Sequence, residues 1–364
     1  MIVGIAGVGL LGGSMGYILR KKGFAKKIIG IGRNAEKLQK AIEAGAIDTY
    51  ILKPGVELKE VDILIVALPV NMIPKFVEDV VPYLKKGAIV TDVGSTKKFI
   101  SDKIEAVLPD DIHFVGGHPM AGSEKSGIEA LDPFLFENAV YVITAGKKAT
   151  AESVAVIKSM AKVLDARVLE MNNDEHDLSV ATISHLPHIL ASALVNCAYK
   201  IDKESTNVLS LAAGGFRDTT RIASGNPDVW RDITLTNSSK ILDVILKFEE
   251  ELERFKKEIR ELSGENIYNL FDEAKKIKDC MPKKKKGIIG PMVEFVVFVP
   301  DKPGVIGDIA EILGKEQINI KDIEVLHVRE NEGGSIRIGI DTGITSEKVS
   351  KILTENSFEF KIIE

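Results

Sequence analysis

The sequence predicts three consecutive domains of different architecture: an α/β domain, an all-helical domain and a small α+β domain. Apolar strands alternate with helical stretches over residues 1–171. Residues 172–280 then carry helical periodicity without a strand-like run. After a linker at 281–292, the order strand, helix, strand, strand, helix, strand fills residues 293–364, which predicts a ferredoxin-like domain. A chain of 364 residues also exceeds what one hydrophobic core usually holds.

Composition and charge exclude several classes of protein. The formal net charge of -5 leaves no basic field for a nucleic-acid backbone, and the one basic run, Lys283–Lys286, fits a solvated linker. The two cysteines provide neither a disulfide framework nor a metal-binding set, and they suit a reducing compartment. Glycines interrupt the uncharged N-terminal stretch, so we expect no signal or membrane-spanning helix there. We therefore expect a cytoplasmic protein that binds neither nucleic acid nor membrane.

The first predicted strand, residues 2–6, leads into a glycine-rich turn and a helix. In this turn the first glycine permits a tight bend, the second lets a pyrophosphate approach, and the third packs the helix on the strand. The motif opens a βαβ unit whose second strand is expected at residues 27–31. The sequence therefore predicts a Rossmann-like domain. The residues expected to bind the dinucleotide are Gly7, Gly9, Leu10, Leu11 and Gly12.

The end of the second strand bears on the choice between NAD and NADP. An acidic residue normally binds the adenosine ribose there, whereas this chain has Gly32-Arg33-Asn34. Without a carboxylate a 2′-phosphate is not repelled, and the Arg33 guanidinium can pair with it. We therefore expect NADP in preference to NAD. NAD is the alternative if Arg33 is only a surface residue beside a site that uses other contacts.

Two further stretches follow strands at the edge where an open α/β sheet binds its ligands. In the run Asp92–Lys97, either Ser95 or Lys97 is expected to contact nicotinamide or substrate, although Ser95 would also serve as a helix cap. In residues 116–127, four glycines and a proline frame His118. We expect a rigid loop that presents this imidazole as a general base. The alternative is a tight turn whose histidine bonds only the backbone.

The helical region adds imidazole and guanidinium groups. His185 and His188 share a helix face at a spacing of three, but no third ligand is near, so we expect a polar cleft rather than a metal site. Arg217 and Arg221 share a face if their segment is helical, which suits a small dianion with two carboxylates. A surface ion pair with Asp218 is the alternative.

An apolar seam runs along the long helix expected between Ile241 and Leu262. Its apolar residues are spaced alternately by four and three positions, with charged residues in the gaps. Such a seam packs either within its own domain or against a second subunit. Its length favours a homodimer.

Together these motifs resemble those of the prephenate dehydrogenase family over nearly the whole chain. The motifs that carry the resemblance are the glycine-rich turn, Asp92–Lys97, Gly116–Glu124, His185–His188, Asp218–Ala223 and the run Trp230–Ile233. The last domain resembles an ACT domain. Its Asp301–Gly304 turn and the following Asn319 are similar to the amino-acid-sensing form.

The resemblance implies oxidative decarboxylation of prephenate to 4-hydroxyphenylpyruvate, with hydride transfer to a nicotinamide cofactor and no metal. It assigns His118 as the base that accepts the hydroxyl proton, and Ser95 as a partner of the same hydroxyl or of the imidazole. The residues expected around the substrate are Arg221, His188, Glu124, Trp230 and Lys97. One departure is Gly32, because family members dedicated to NAD usually have an acidic residue there.

The resemblance also implies tyrosine as a feedback effector, sensed at Asp301, Gly304 and Asn319. A close alternative is arogenate dehydrogenase, which the sequence does not separate. More distant alternatives are a β-hydroxyacid dehydrogenase, whose base is a lysine on the helical side, and a sensor of nucleotides and amino acids without turnover. Intact His118, Ser95 and Arg221 argue against the sensor.

Overall fold

The computed structural model describes residues 1–122, 125–204, 207–280, 292–300, 302–329, 333–341 and 343–363. The chain divides into two compact units, residues 1–281 and 282–364. The first unit holds an α/β layer and the helical region, and the second holds a four-stranded sheet with two helices. The expected succession of Rossmann-like, helical and small α+β parts is confirmed.

The first unit is built on one eight-stranded sheet. Its strands are β1 (Ile2–Ala6), β2 (Lys27–Ile31), β3 (Thr49–Ile51), β4 (Ile63–Val66), β5 (Ile89–Asp92), β6 (His113–Pro119), β7 (Val140–Ala145) and β8 (Arg167–Glu170). The helices around it are α1 (Leu10–Lys21), α2 (Ala35–Glu43), α3 (Ile73–Val80), α4 (Lys98–Glu105) and α5 (Ala151–Val163). The strand order is β3-β2-β1-β4-β5-β6-β7-β8, with two apolar cores against the sheet.

Strands β1 to β6 are parallel, but β7 runs antiparallel to β6 and pairs with it up to Pro119 and Tyr141. His118 therefore lies within strand β6, opposite Val142. The prediction that His118 lies in a rigid loop was therefore wrong. The glycines before it are needed for space rather than for a left-handed turn, since a Cβ on Gly117 would lie 2.6 Å from the Asp92 carbonyl oxygen.

The helical region contains α6 (Asn173–Val180), α7 (Leu186–Glu204), α8 (Gly214–Thr220), α9 (Pro227–Thr236), α10 (Ser238–Arg260) and α11 (Gly264–Cys280). A π-turn at Ala181–His185 joins α6 to α7. Pro187 provides a physical cause for the π-turn. It lacks an N–H, and in a regular α-helix its ring would clash with the carbonyl four residues earlier. By length and composition, the segment Asn173–Glu204 is apolar enough to cross a bilayer, and 33% of its most apolar window is buried in the fold. Its buried polar residues, described below, bond within the first unit.

The second unit is an antiparallel sheet with helices on one face. Its elements are β9 (Met292–Val299), α12 (Val305–Lys315), β10 (Ile320–Arg329), β11 (Gly333–Asp341), α13 (Ser346–Glu355) and β12 (Glu359–Ile363). The strand order is β10-β11-β9-β12. This is the expected ferredoxin-like arrangement, and the expected bend at Asp322 coincides with a register shift in β10.

Candidate active site

The glycine-rich turn between β1 and α1 has the geometry that a dinucleotide requires. Gly7 adopts φ +87°, which a residue with a side chain rarely tolerates. A Cβ on Gly12 would lie 2.2 Å from the Gly7 carbonyl oxygen, so this glycine permits the helix to pack on the turn. Gly9 faces open space, with nothing within 4 Å of its ideal Cβ. The turn therefore leaves room for a pyrophosphate at the N-terminus of α1.

The loop after β2 presents a cation and no carboxylate. Arg33 is exposed, and Asn34 caps α2 by accepting a hydrogen bond of 2.9 Å from the Lys37 amide. A Cβ on Gly32 would touch only Leu38 at 3.4 Å, an ordinary contact. The backbone at Gly32 therefore has room for an acidic side chain, so no steric constraint explains why this chain lacks one.

A buried ion pair lies where β5 ends. The Lys97 ammonium contacts the Asp92 carboxylate and donates a hydrogen bond of 2.6 Å to the Gly117 carbonyl oxygen. Lys97 is 1% exposed and Asp92 is 0% exposed. Burial lowers the pKa of Lys97, and the adjacent Asp92 carboxylate opposes that shift. In the structure, the ammonium that was expected to contact nicotinamide or substrate bonds these two acceptors inside the protein.

His118 heads a chain of hydrogen bonds that leads into the helical region. Its Nδ1 lies 2.7 Å from Nε2 of His176, and Nδ1 of His176 lies 2.8 Å from Oδ1 of Asp177. Because a carboxylate only accepts, Nδ1 of His176 is the donor to Asp177. Nε2 of His176 then accepts from Nδ1–H of a neutral His118. This order leaves Nε2 of His118 with a free lone pair, which is the requirement for a general base.

Several groups keep the His118 imidazole neutral. Burial lowers the pKa of His118 well below 6.5, and His176, Lys97 and His185 lower it further. The pKa of His176 is also lowered, mainly by burial, although Asp177 opposes the shift. At neutral pH both rings of the chain are therefore uncharged, and His118 is ready to take a proton.

Asp177 joins the two parts of the first unit. Besides His176, its carboxylate accepts hydrogen bonds from the backbone amides of Lys97, at 2.7 Å, and Lys98, at 2.9 Å. It thereby caps the N-terminus of α4 from α6, where a negative charge is favourable. The Asn237 amide donates to the Asp177 carbonyl oxygen at 2.8 Å and lies 3.2 Å from Nδ1 of His185.

The histidines expected to line a polar cleft have different environments. His185 is buried against Asn237, and burial lowers its pKa to about 4. His188 stacks on Trp230, with ring centroids 3.5 Å apart and an interplanar angle of 17°. Gly225 makes room for this stack, because its Cβ would lie 2.6 Å from Nε1 of Trp230. His188 and Trp230 therefore cover one another face to face, while His185 packs against Asn237 and meets the Trp230 ring edge-on.

The remaining expected site residues lie on other parts of the chain. Ser95 is half-buried in the loop between β5 and α4. Arg221 is exposed and begins a 3₁₀ turn directly after α8, so it does not continue the α-helix face of Arg217 as expected. Arg217 instead donates to the Ala212 carbonyl oxygen at 3.2 Å. Glu124 lies outside the described residues.

Comparison with known proteins decides the family. A model for the nucleotide-binding domain of prephenate dehydrogenase matches residues 15–170, one for its dimerization domain matches 172–273, and an ACT domain model matches 293–347. The prephenate dehydrogenase of Bacillus subtilis (strain 168) is 39% identical over 339 residues, which is 93% of this chain and 91% of that protein. This chain belongs to the prephenate dehydrogenase family. The expected family is thus confirmed.

Further relatives agree with this membership of the prephenate dehydrogenase family. The prephenate dehydrogenase of Lactococcus lactis subsp. cremoris is 33% identical over 363 residues, 99% of each chain. The crystal structure of the A. aeolicus enzyme with hydroxyphenyl propionate and NAD+ has a TM-score of 0.72 and 32% identity, covering 78% of this chain and 98% of that one. The crystal structure of Synechocystis arogenate dehydrogenase has a TM-score of 0.69 and 29% identity, covering 77% of this chain and 99% of that one.

Sequence reasoning missed two residues that this prephenate dehydrogenase family member places beside His118. The sequence pattern indicates only that His176 and Asp177 open a long helix. In an uninterrupted α-helix, His176 and His185 would lie about half a turn apart, on opposite faces. The π-turn takes up one extra residue and brings them to within about 80° of each other. Pro187, ten to eleven residues along from the pair, was the available signal for this π-turn.

The first prediction concerns Asp177, whose carboxylate accepts from three donors. Asp177→Asn replaces one of its two acceptor oxygens by a donor, which leaves a buried N–H without a partner. We expect the free energy of unfolding to fall by about 1 to 3 kcal/mol. Asp174→Asn is the matched control on the same helix, because Asp174 is exposed and pairs with surface lysines. Equal melting temperatures for the two variants in thermal unfolding would contradict the role given to Asp177.

Proposed function

We propose that this protein oxidises and decarboxylates prephenate, with His118 as the general base. The observation that carries the proposal is the directed chain from Asp177 through His176 to His118, in the same unit as a glycine-rich turn that fits a dinucleotide. A bound nicotinamide supplies the hydride acceptor. Nε2 of His118 takes the proton of the ring hydroxyl as hydride leaves the same carbon, which avoids an alkoxide too basic for neutral pH.

The overall reaction has a consequence for His118. Prephenate and the oxidised cofactor give 4-hydroxyphenylpyruvate, carbon dioxide and the reduced cofactor, with no net proton released. The hydroxyl proton that His118 takes must therefore be balanced by a proton on the phenol that forms after the carboxylate bond breaks. His118 can hold that proton because His176 and the Asp177 carboxylate stabilise the imidazolium through two short hydrogen bonds, of 2.7 and 2.8 Å.

His118→Asn tests the role of the base. We expect kcat to fall by about 10² to 10⁴, because Asn cannot accept the proton, while KM changes little. In the wild type, kcat/KM should stay level down to pH 6.5 and decline only below it, because the pKa of His118 is lowered. The measurement is the steady-state rate with prephenate, and in parallel with arogenate, across pH.

Arg221→Ala serves as the contrasting variant, because a group that binds a carboxylate acts before and during the reaction. It should raise KM more than it lowers kcat. A His118→Asn enzyme with a near-normal kcat and an unchanged pH profile would show that the base lies elsewhere. If arogenate is used at a higher kcat/KM than prephenate, the substrate assignment moves to arogenate while the base is unaffected.

For the cofactor, we propose NADP in preference to NAD. The exposed Arg33 and the missing carboxylate at Gly32 support it, since a 2′-phosphate meets a cation there and no repulsion. The A. aeolicus relative was crystallised with NAD+, so NAD is the competing cofactor. We expect Gly7, Gly9 and Gly12 to bind the pyrophosphate of NAD and of NADP in the same way.

Arg33→Ala should weaken kcat/KM for NADP by roughly tenfold to hundredfold and leave NAD nearly unchanged. Gly32→Asp should reverse the preference, because its Cβ fits beside Leu38 and its carboxylate can bind a ribose hydroxyl. Lys103→Ala is the control, an exposed lysine on α4. The measurement is steady-state kinetics with both cofactors, and a wild type that favours NAD severalfold would sink the proposal.

For the second unit, we propose that tyrosine binds and inhibits. A cavity of about 360 Å³ lies beside the start of α12, with mostly apolar walls that include Ile306 and Val325. Gly304 lines it and adopts φ +93° at the N-cap of α12. Asn319 is exposed and is not among the residues that line this cavity, and Asp301 lies outside the described residues. An aromatic amino acid suits such walls.

Val325→Trp should fill the cavity and abolish inhibition by tyrosine without changing the uninhibited rate. Ile323→Trp is the matched control, since it lies two residues earlier on the same face of β10 and does not line the cavity. A chain that ends at residue 290 should likewise be active but insensitive. If tyrosine inhibits that shorter chain equally well, it binds in the active site instead.

We also propose a homodimer formed through the helical region. The family model that matches residues 172–273 is described as a dimerization domain. The apolar seam of α10 is buried at Ile241 but exposed at Leu252 and Ile259. An exposed seam of this kind is stabilised by a second subunit.

Sedimentation velocity should give twice the mass of one chain at micromolar concentration. Leu252→Arg should shift the protein toward the monomer, because it places a charge in the apolar seam. Glu250→Arg, an exposed polar position on the same helix, is the control. A monomeric wild type would contradict the proposal.

Cys197 and Cys280 are free and exposed, which supports our proposal that the protein is cytoplasmic.

A further inference from the structure

The ion pair of Lys97 and Asp92 holds the residue that precedes His118. The Lys97 ammonium donates to the Gly117 carbonyl oxygen at 2.6 Å, while Oδ1 of Asp92 accepts from the Gly117 amide at 3.2 Å. Both polar backbone groups of Gly117 are therefore satisfied by one buried pair. The second carboxylate oxygen of Asp92 also accepts from the Gly94 amide, at 2.8 Å, which fixes the carboxylate itself.

The Lys97–Asp92 pair bonds the backbone of β6 just beyond the point where its hydrogen bonds to β5 end. Pairing of β5 with β6 ends at Thr91 and Val115, two residues before Gly117. On the other side, β7 still pairs with β6 at His118 and beyond. Without the ion pair, the backbone before His118 would be held on one side only, and the buried polar groups of Gly117 would lack partners.

The two glycines before His118 make room for this pair. A Cβ on Gly116 would lie 3.3 Å from Cδ of Lys97 and 2.4 Å from Oγ1 of Thr144. A Cβ on Gly117 would lie 2.6 Å from the Asp92 carbonyl oxygen. The glycine pair and the ion pair are therefore parts of one arrangement that places the imidazole.

We propose that Lys97 is a positioning residue that acts on His118 through the Gly117 carbonyl, and that it does not bind the substrate. The proposal rests on the proposed function of His118 as base. The Lys97 side chain is only 1% exposed, and two of its three N–H donors already meet acceptors inside the protein.

The Lys97 charge has a second effect on His118. Among the described residues, the charged and titratable groups around His118 are His176 and Asp177 on α6, His185 on the π-turn, the Asp92–Lys97 pair, and Tyr141 on β7 beside Gly117. Burial is the largest cause that lowers the pKa of His118, and His176, Lys97 and His185 add to it. Removal of the Lys97 charge should therefore move the acid limb of kcat/KM to higher pH.

The test uses Lys97→Met and the double variant Lys97→Met/Asp92→Asn in the full chain. The double variant leaves no uncompensated buried charge, so its melting temperature should return toward the wild-type value. Its kcat should nevertheless remain at least about tenfold low, with KM within about twofold of the wild type. The acid limb should shift upward in Lys97→Met, where only the positive charge is removed. Lys103→Met, an exposed lysine on α4, is the control and should change none of these.

Three results would overturn the proposal. A KM raised tenfold with normal kcat and pH profile would assign Lys97 to the substrate. A double variant with restored stability and normal kcat would make the pair structural only. Loss of folding in both variants would also make Lys97 a residue of general stability.

A measurement without substrate separates this proposal from the function itself. The Cε1 proton signal of His118, one of six histidines, can be assigned by its loss in His118→Asn and titrated by NMR. It should titrate at higher pH in Lys97→Met than in the wild type, because that variant removes only the positive charge. If the wild type fails to turn over prephenate but this shift is seen, the function fails and the role of Lys97 stands.

Discussion

The Asp177 carboxylate is the group on which the rest of the site depends. It is 2% exposed, and it must satisfy two backbone amides at the start of α4 as well as one imidazole on α6. A buried carboxylate is costly unless each lone pair finds a donor, so its position fixes α4 relative to α6. That constraint in turn fixes the direction of the hydrogen bonds from His176 to His118.

The charges of the site are arranged around one proton. Before reaction, Asp92 and Lys97 compensate each other, and the Asp177 charge is held by the N-terminus of α4. His118 and His176 are neutral, because burial lowers the pKa of both. When His118 takes a proton, the new positive charge lies two hydrogen bonds from the Asp177 carboxylate. The site thus provides for the protonated state without holding a bare charge in the resting state.

Sequence patterns predicted what local physics determines. The strand, glycine turn and helix at residues 2–21 were readable because each glycine has a separate steric reason. The elements of the second unit were readable from alternating apolar residues. The position of His118 was not, because a histidine between glycines is equally consistent with a loop, and only the antiparallel β7 makes it a strand. Nor was the direction of Lys97, since burial of an ammonium depends on a carboxylate five residues earlier.

The chain of histidines was hidden for a related reason. His118 and His176 are 58 residues apart in the sequence, on β6 and α6, and no local pattern pairs them. The proposed cofactor preference depends on one exposed side chain, Arg33, and the proposed effector on the cavity beside α12. No sequence pattern determines either of them.

The central claim is that Asp177 and His176 orient a neutral His118 with its Nε2 unprotonated. Long-range ¹H–¹⁵N correlation spectra of the imidazole rings distinguish the two neutral tautomers and the charged form directly. The account predicts that at neutral pH both His118 and His176 carry their proton on Nδ1. A His118 ring that is protonated on Nε2, or charged at neutral pH, would contradict it.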